Sequence, residues 1–169
     1  MKLEAQFTSR NNSLFFLDGS PVSLSSCPSV SADECSGSVM PQGDALVCTV
    51  TVPWSLVGMD EENYNEEFLA SLRDWLKTMD DAKQYVILVP LADADLSSVE
   101  QKEALTASVK HLARRVKDCT SVVGLAVPEE FTQSDCEFFM EEISKKHAQY
   151  VYFSKNDALL TQNQAIVRY

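Results

Sequence analysis

Apolar runs of strand length alternate with amphipathic stretches of helix length along most of this 169-residue chain. That alternation predicts an α/β fold built on a mainly parallel sheet, with an antiparallel hairpin ahead of it. Three observations carry the prediction. The β-branched runs near residues 45–52, 85–91 and 122–127 each meet a proline, Pro53, Pro90 and Pro128, and proline cannot donate to a sheet ladder. Between the runs, apolar residues recur at three- and four-residue spacing, the mark of a helix with one buried face. The loops are short, so successive strands run parallel through right-handed crossovers.

From the amino terminus, the first signal is a pair of tight turns. Asn11-Asn12 and Asp18-Gly19 are turn dipeptides, the second flanked by Leu14-Phe15-Phe16-Leu17 and Pro21-Val22-Ser23-Leu24, so residues 1–25 are expected to form a hairpin. Residues 26–44, rich in Ser, Pro, Gly and acids, predict a loop, either a binding loop or a connector. Ala45 to Val52 reads as a buried strand ending at Pro53-Trp54. Asp60 or Asn63 then caps a helix whose inner face carries Tyr64, Phe68, Leu72, Trp75, Leu76 and Met79. A second strand, Tyr85 to Leu91, leads to a helix begun by Ser97 or Ser98, with Glu100 and Gln101 three residues on from each, and striped by Leu105, Val109, Leu112 and Val116. Val122 to Val127 is continuously apolar, as in a strand buried on both faces. Ser134 and Glu137 predict the start of the next helix, which buries Phe139, Met140 and Ile143. Tyr150 to Phe153 is a further strand and Ala165 to Tyr169 a last one, so residues 1–169 read as one domain with its βα units from 45 to 169.

The formal net charge is -11 and the pI about 4.5, a balance that repels phosphate backbones and anionic membrane surfaces. Neither nucleic acid nor membrane is an expected partner. No apolar run approaches a membrane span and the first thirty residues lack a signal-peptide core, so the chain reads as soluble and cytoplasmic unless a signal was trimmed before position 1. Cys27, Cys35, Cys48, Cys119 and Cys136 show no CxxC spacing and the histidines are two, His111 and His147, which argues against zinc. The odd cysteine count fits reduced thiols, with a Cys27 to Cys35 bridge as the alternative. Cys119 and Cys136 are expected in the core, and both histidines at the surface on polar stretches of helices. Scattered glycines leave no phosphate loop, and no Gly-x-Ser-x-Gly elbow occurs; no cofactor is expected.

Pro128-Glu129-Glu130 puts two adjacent carboxylates at the carboxyl end of a central strand, the sheet edge where ligands and catalytic groups gather. Acids recur after the other strands: Asp60, Glu61 and Glu62; Asp93 and Asp95; and Asp157. Lined along one rim, Asp93, Asp95 and Glu129 are candidate ligands for a hard cation such as Mg²⁺ or Ca²⁺. The alternative is solvated loop charge that favours the helix starts. Trp54, also at a strand's carboxyl end, either packs under a loop or lines a groove as a stacking surface for a sugar ring.

These residues resemble a family. Ser13-Leu-Phe-Phe-Leu-Asp-Gly-Ser-Pro-Val-Ser-Leu24 is similar to the hairpin that opens many (β/α)8 glycoside hydrolases of the cellulase and β-galactosidase type. Val50-Thr-Val-Pro-Trp54 resembles their second barrel strand, Tyr64 to Leu76 the helix after it, Tyr85-Val-Ile-Leu88 the third strand, and Val122-Val-Gly-Leu-Ala-Val-Pro-Glu-Glu130 the fourth. The resemblance implies a partial TIM-barrel-like sheet and places Glu130 at the general acid/base position. Glu129 stands where the family has the Asn that bonds the sugar 2-hydroxyl, and Thr51 where cellulase-type members carry an Arg. Val89 to Leu91 hold no His where some members have one. A retaining glycosidase needs a second carboxylate about 5 Å from the first, which the family supplies after a late strand. A whole barrel takes roughly 250 residues, so about five strands are expected and the chain reads as a shortened, degenerate relative.

Three functions remain open at this level. One is a non-catalytic domain binding carbohydrate or a protein partner through Trp54, Asp93, Glu129 and Glu130. Another is an active glycoside hydrolase in which Glu130 is the acid/base and a partner chain supplies the second carboxylate. The third is an assembly module without ligand. Too few strands to close a barrel leave an apolar inner face to be covered, partly by the hairpin and the loop, and for the rest by a second copy, which predicts a homodimer.

Overall fold

The structure, a computed structural model, describes residues 3–35 and 45–169; the second half of the expected 26–44 loop lies outside the described residues. Two sheets organise it. β1 (Phe7–Arg10), β2 (Ser13–Phe16) and β3 (Pro21–Val22) form an antiparallel meander. The second sheet has six parallel strands: β4 (Ser29–Ser31), β5 (Val47–Pro53), β6 (Tyr85–Leu91), β7 (Val122–Ala126), β8 (Val151–Ser154) and β9 (Val167–Arg168). Each strand lies beside its neighbour in sequence, the order of a (β/α) barrel rather than of a doubly wound sheet, whose order reverses. Helices α1 (Trp54–Val57), α2 (Glu66–Ala82), α3 (Val99–Arg115), α4 (Gln133–Ser144) and α5 (Asp157–Gln162) occupy the connections after β5. No helix among the described residues is long and apolar enough to cross a membrane.

Several expectations change here. Six parallel strands form instead of five, because Ser29–Ser31, read as loop, pairs with β5 and sets Val30 opposite Val50. Such a short polar stretch becomes a strand only through that ladder. The cap of α2 is Asn65, which accepts from the Phe68 amide at 3.1 Å, while Asp60 closes its own turn on Glu62 and Asn63. In α3 the capping box is Ser98 with Gln101. In α4 it is Thr132 with Asp135 rather than Ser134 with Glu137, and a tertiary contact favours the choice: Asp135 also accepts from Lys102 of α3 at 2.8 Å. The short helices α1 and α5 were not foreseen.

The core has two layers. On the outer face of the sheet, Leu69, Leu72, Trp75, Leu76 and Met79 of α2 join Leu105, Val109 and Leu112 of α3, and Phe139 and Ile143 of α4, against Val50, Val52, Val86, Leu88 and Leu125. Each such leucine removed from water is worth about 1.5–3 kcal/mol. On the inner face, Val47, Ile87, Val123, Val151, Phe153 and Val167 receive Phe7, Leu14 and Val22 of the meander. Leu24, Cys27 and Tyr169 complete that cluster.

The meander is fastened as well as packed. Asn11 and Asn12 both take positive φ, 51° and 58°, the conformation of the favoured two-residue hairpin turn. The Asn12 side-chain amide then donates toward the carbonyls of Leu160, Asn163 and Ile166 at 3.0, 3.1 and 2.7 Å. Its backbone N–H reaches the Gln164 carbonyl at 2.9 Å, and its own carbonyl accepts from Arg168 at 3.1 Å. The meander therefore covers the part of the inner face formed by Val47, Ile87, Val123, Val151, Phe153 and Val167, the share of the cover expected of the hairpin. At Gly124, opposite Val151 of β8, a Cβ would fall 1.7 Å from the Val151 carbonyl oxygen, so the β7–β8 approach admits only glycine.

Candidate functional site

Strand alternation divides the inner face into a lower and an upper half. Every second residue of β5 points inward: Val47 joins the meander cluster, and Thr49 and Thr51, nearer the carboxyl end, line a groove of about 360 Å³. Along β6, Tyr85 and Ile87 lie below and Val89 above. Beyond β7 the chain passes Val127 and Pro128 and places both Glu129 and Glu130, exposed, on the groove wall. The carboxyl-end rule thus brings the adjacent carboxylates to the same cleft as the inward threonines.

The opposite wall holds residues that sequence reasoning missed. Lys155 follows β8 as Glu129 follows β7, and its ammonium lies 4.8 Å from the centroid of the Tyr169 ring, a cation–π distance. Tyr169 also meets Phe153 edge to face at 6.3 Å. Burial first, and the Glu129 carboxylate second, push the Tyr169 phenol up to about 12, so it is a neutral hydrogen-bond donor at physiological pH. Cys27 lines the same groove, its thiol pushed up by burial against an opposing pull from Lys155. The end of a strand was a sufficient signal for Lys155; nothing local marks Tyr169 or Cys27 as inward-facing.

The other residues singled out lie elsewhere. Trp54 is only 4% exposed and belongs to the helix-side core, so the groove is lined without it. Asp93 accepts from the Ser55 amide at 2.9 Å and from the Ser55 hydroxyl, tying the end of β6 to α1. Asp95 accepts from the Ser97 amide at 3.0 Å and hydroxyl at 2.8 Å; those bonds hold its carboxyl below the usual range. Asp93, Asp95 and Glu129 do not gather, and no group of three or more His, Cys, Asp or Glu side chains among the described residues is placed to hold a metal ion.

All five cysteines are free thiols, so Cys27 and Cys35 are not bridged. Cys119 and Cys136 are 1% exposed, and burial raises both thiols to about 12. His147, expected at the surface, is instead buried and stacked on Tyr150 at 5.8 Å, because the chain turns inward after α4. His111 stacks on Tyr64 at 4.2 Å and contacts Glu66 at 2.6 Å.

No protein-family model matches the chain, and no curated protein does. Solved structures do. The catalytic domain of the Thermobifida fusca endoglucanase Cel5A superposes with a TM-score of 0.57 at 15% identity, over 88% of this chain and 52% of that one. A GH5_18 from Bifidobacterium longum subsp. infantis gives 0.52 at 11%, over 73% and 38%. A family 26 endo-β-1,4-mannanase from Cellulomonas fimi gives 0.50 at 12%, over 83% and 46%. The chain thus spans about half or less of the length of each. At these identities the likeness establishes the fold, which is a partial (β/α)8 barrel of the kind seen in glycoside hydrolases.

Proposed function

We propose that this chain is a glycoside-hydrolase-like domain that binds carbohydrate in the groove at the carboxyl ends of its strands and does not cleave it with its own groove residues. The supporting observation is the composition of that groove. Hydroxyls from Thr49 and Thr51, the Glu129 and Glu130 acceptors, the Lys155 donor and the Tyr169 ring surround a floor that includes Val89 and Val127. A few convergent polar groups over an apolar floor is the arrangement of small-molecule sites. Against hydrolysis stands the carboxylate supply. Glycosidases flank the scissile bond with two carboxyl groups, about 5–5.5 Å apart in retaining and 6.5–9.5 Å in inverting enzymes. Among the described residues lining the groove the carboxylates are Glu129 and Glu130, neighbours in one turn that enter from the same side. In this reading residues 1–169 act as one domain, the meander closing the apolar part of the inner face and the βα units supplying most of the groove lining.

The similar structures include an endoglucanase and a mannanase, so cello- and manno-oligosaccharides are the first probes. Calorimetric titration is expected to show binding that Glu130→Gln weakens by about tenfold, with no release of nitrophenol from aryl glycosides. A protein partner at the same groove is the reading that remains if no sugar binds and yet Glu130→Gln disrupts a complex. The position of Glu130 after β7 favours one competitor, an active hydrolase whose second carboxylate comes from another chain such as a second copy. Turnover abolished by Glu130→Gln, together with a dimer in sedimentation, would establish that competitor in its place. An assembly module without ligand predicts that no sugar moves the melting temperature.

A further inference from the structure

The helix face, on the far side of the sheet from the groove, carries a second and larger depression of about 800 Å³ along α3 and α4. Lys110, Arg114 and Lys117 line it from α3 and the turn that ends it and Lys146 from just beyond α4, four cations against the carboxylates of Glu61 and Glu142, with His111, His147 and Gln149 as the remaining polar lining. Its sign opposes that of the molecule, which has 25 acidic against 14 Lys and Arg side chains. With carboxylates in such excess, a cation left alone is informative. Among the described residues, the lysines and arginines with neither a carboxylate nor a ring as partner are Lys83, Arg114, Lys117 and Lys146. All but Lys83 line this one depression. The carboxyl ends of helices favour cations, which accounts for basic residues there. It does not account for the missing partners, since Arg115 and Lys145, at the same helix ends, bond Glu66 and Glu142.

Lys110 and Arg114 are four residues apart, hence on one face of α3, and with Lys117 they mark a ridge about 10 Å long. Lys110 is already held by Glu142 at 2.8 Å, which leaves Arg114, Lys117 and Lys146 to an external anion. Ala107 and the Tyr64 ring, stacked on His111 at 4.2 Å, supply an apolar patch beside them. We propose that this depression docks a short acidic segment of a partner protein, carboxylates on Arg114, Lys117 and Lys146 and an apolar side chain on Tyr64 and Ala107. The volume lies in the range that buries a ligand much larger than a single small anion. A nucleic acid would carry many more charges into the field of a chain with net charge -11, which repels it at long range; a short peptide carries few charges and meets a lining in which cations outnumber carboxylates. The proposal is independent of the sugar-binding groove.

Fluorescence anisotropy with a labelled heptapeptide alternating Glu with Ala and Phe tests it, against the same peptide with Gln for Glu. At about 50 mM salt the Glu peptide is expected to bind at least about tenfold tighter than the Gln peptide and to weaken steadily as salt rises. The combined Arg114→Glu, Lys117→Glu, Lys146→Glu variant should lose that preference with an unchanged melting temperature, as should the corresponding triple Gln variant, while Lys83→Glu binds like the parent. Equal binding of the two peptides, no binding at low salt, or full binding by both triple variants would overturn the proposal. So would tighter binding of a charge-matched oligonucleotide, or self-association that the triple variants abolish, which would make a second copy the occupant.

Discussion

The two halves of the inner face are built on the same strands yet differ in nearly every property. Below, Val47, Ile87, Val151 and Phe153 are sealed by Phe7, Leu14 and Val22; above, the same strands present Thr49, Thr51 and Val89 to an open groove walled by Glu129, Glu130, Lys155 and Tyr169. The lower half is closed by segments from the two ends of the chain, and the upper half is left to solvent. The difference shows how a sheet of six parallel strands, too few to close a barrel, buries part of its inner face within one chain. The meander fills the apolar part, and the polar residues gather in the part left open.

That division is open to test, and the largest effect should fall on both halves together. Gly124→Ala drives a Cβ to 1.7 Å from the Val151 carbonyl oxygen, and a clash with backbone cannot relax by a rotamer change; a loss of about 3 kcal/mol or more, seen as absent or molten near-UV dichroism, is expected. Phe7→Ala attacks the lower half alone. Phe7 is 5% exposed and packs on Phe16 at 5.2 Å and Tyr85 at 4.9 Å, so urea unfolding should show a loss of about 3–5 kcal/mol, with the folded fraction still binding sugar. Asn12→Ala removes the side-chain bonds to the α5–β9 carbonyls and leaves alanine at φ 58°; about 2–3 kcal/mol is expected by the same assay.

In the upper half the balance should reverse. Glu130→Gln, on an exposed groove wall, should move stability by no more than about 0.5 kcal/mol while weakening sugar binding. Glu129→Gln should have the smallest effect of all. Because Glu129 helps, after burial, to raise Tyr169 to about 12, its removal should lower the phenol titration followed by ultraviolet absorbance. A phenol raised above its unfolded value of about 10 gives stability that is complete below about pH 10 and is lost as pH climbs through about 12. Tyr169→Phe should therefore flatten the alkaline fall in stability across that window.

How far the sequence foretold this depends on the range of the signal. Leu105, Val109 and Leu112 repeat at helical spacing and are buried as that spacing requires. The start of α3 was legible to within one residue, because Ser97 with Glu100 and Ser98 with Gln101 both fit a capping box that closes within four residues, and Ser98 is the cap. The start of α4 was placed two residues late because Thr132–Asp135 and Ser134–Glu137 are equal by local rule, and Lys102, thirty-three residues away, bonds the carboxylate of the first. Glu129 and Glu130 could be placed at the groove from the proline that ends their strand. Trp54 could not, since a strand end says nothing of which face its last side chain takes.

By itself, then, the sequence determined the alternation of strand and helix, the parallel order, the outer faces of the helices and a carboxylate pair at a strand end. All of these follow from periodicity, turn residues and proline, which act within a few positions. The tertiary structure decided that Ser29–Ser31 is a strand, that Phe7 and Val167 meet in one inner core, that Lys155 and Tyr169 share a groove with Glu129, and that three cations without a carboxylate or ring partner among the described residues line one depression. Those outcomes depend on curvature of the sheet and on contacts between segments far apart in sequence, for which no local pattern carries a signature.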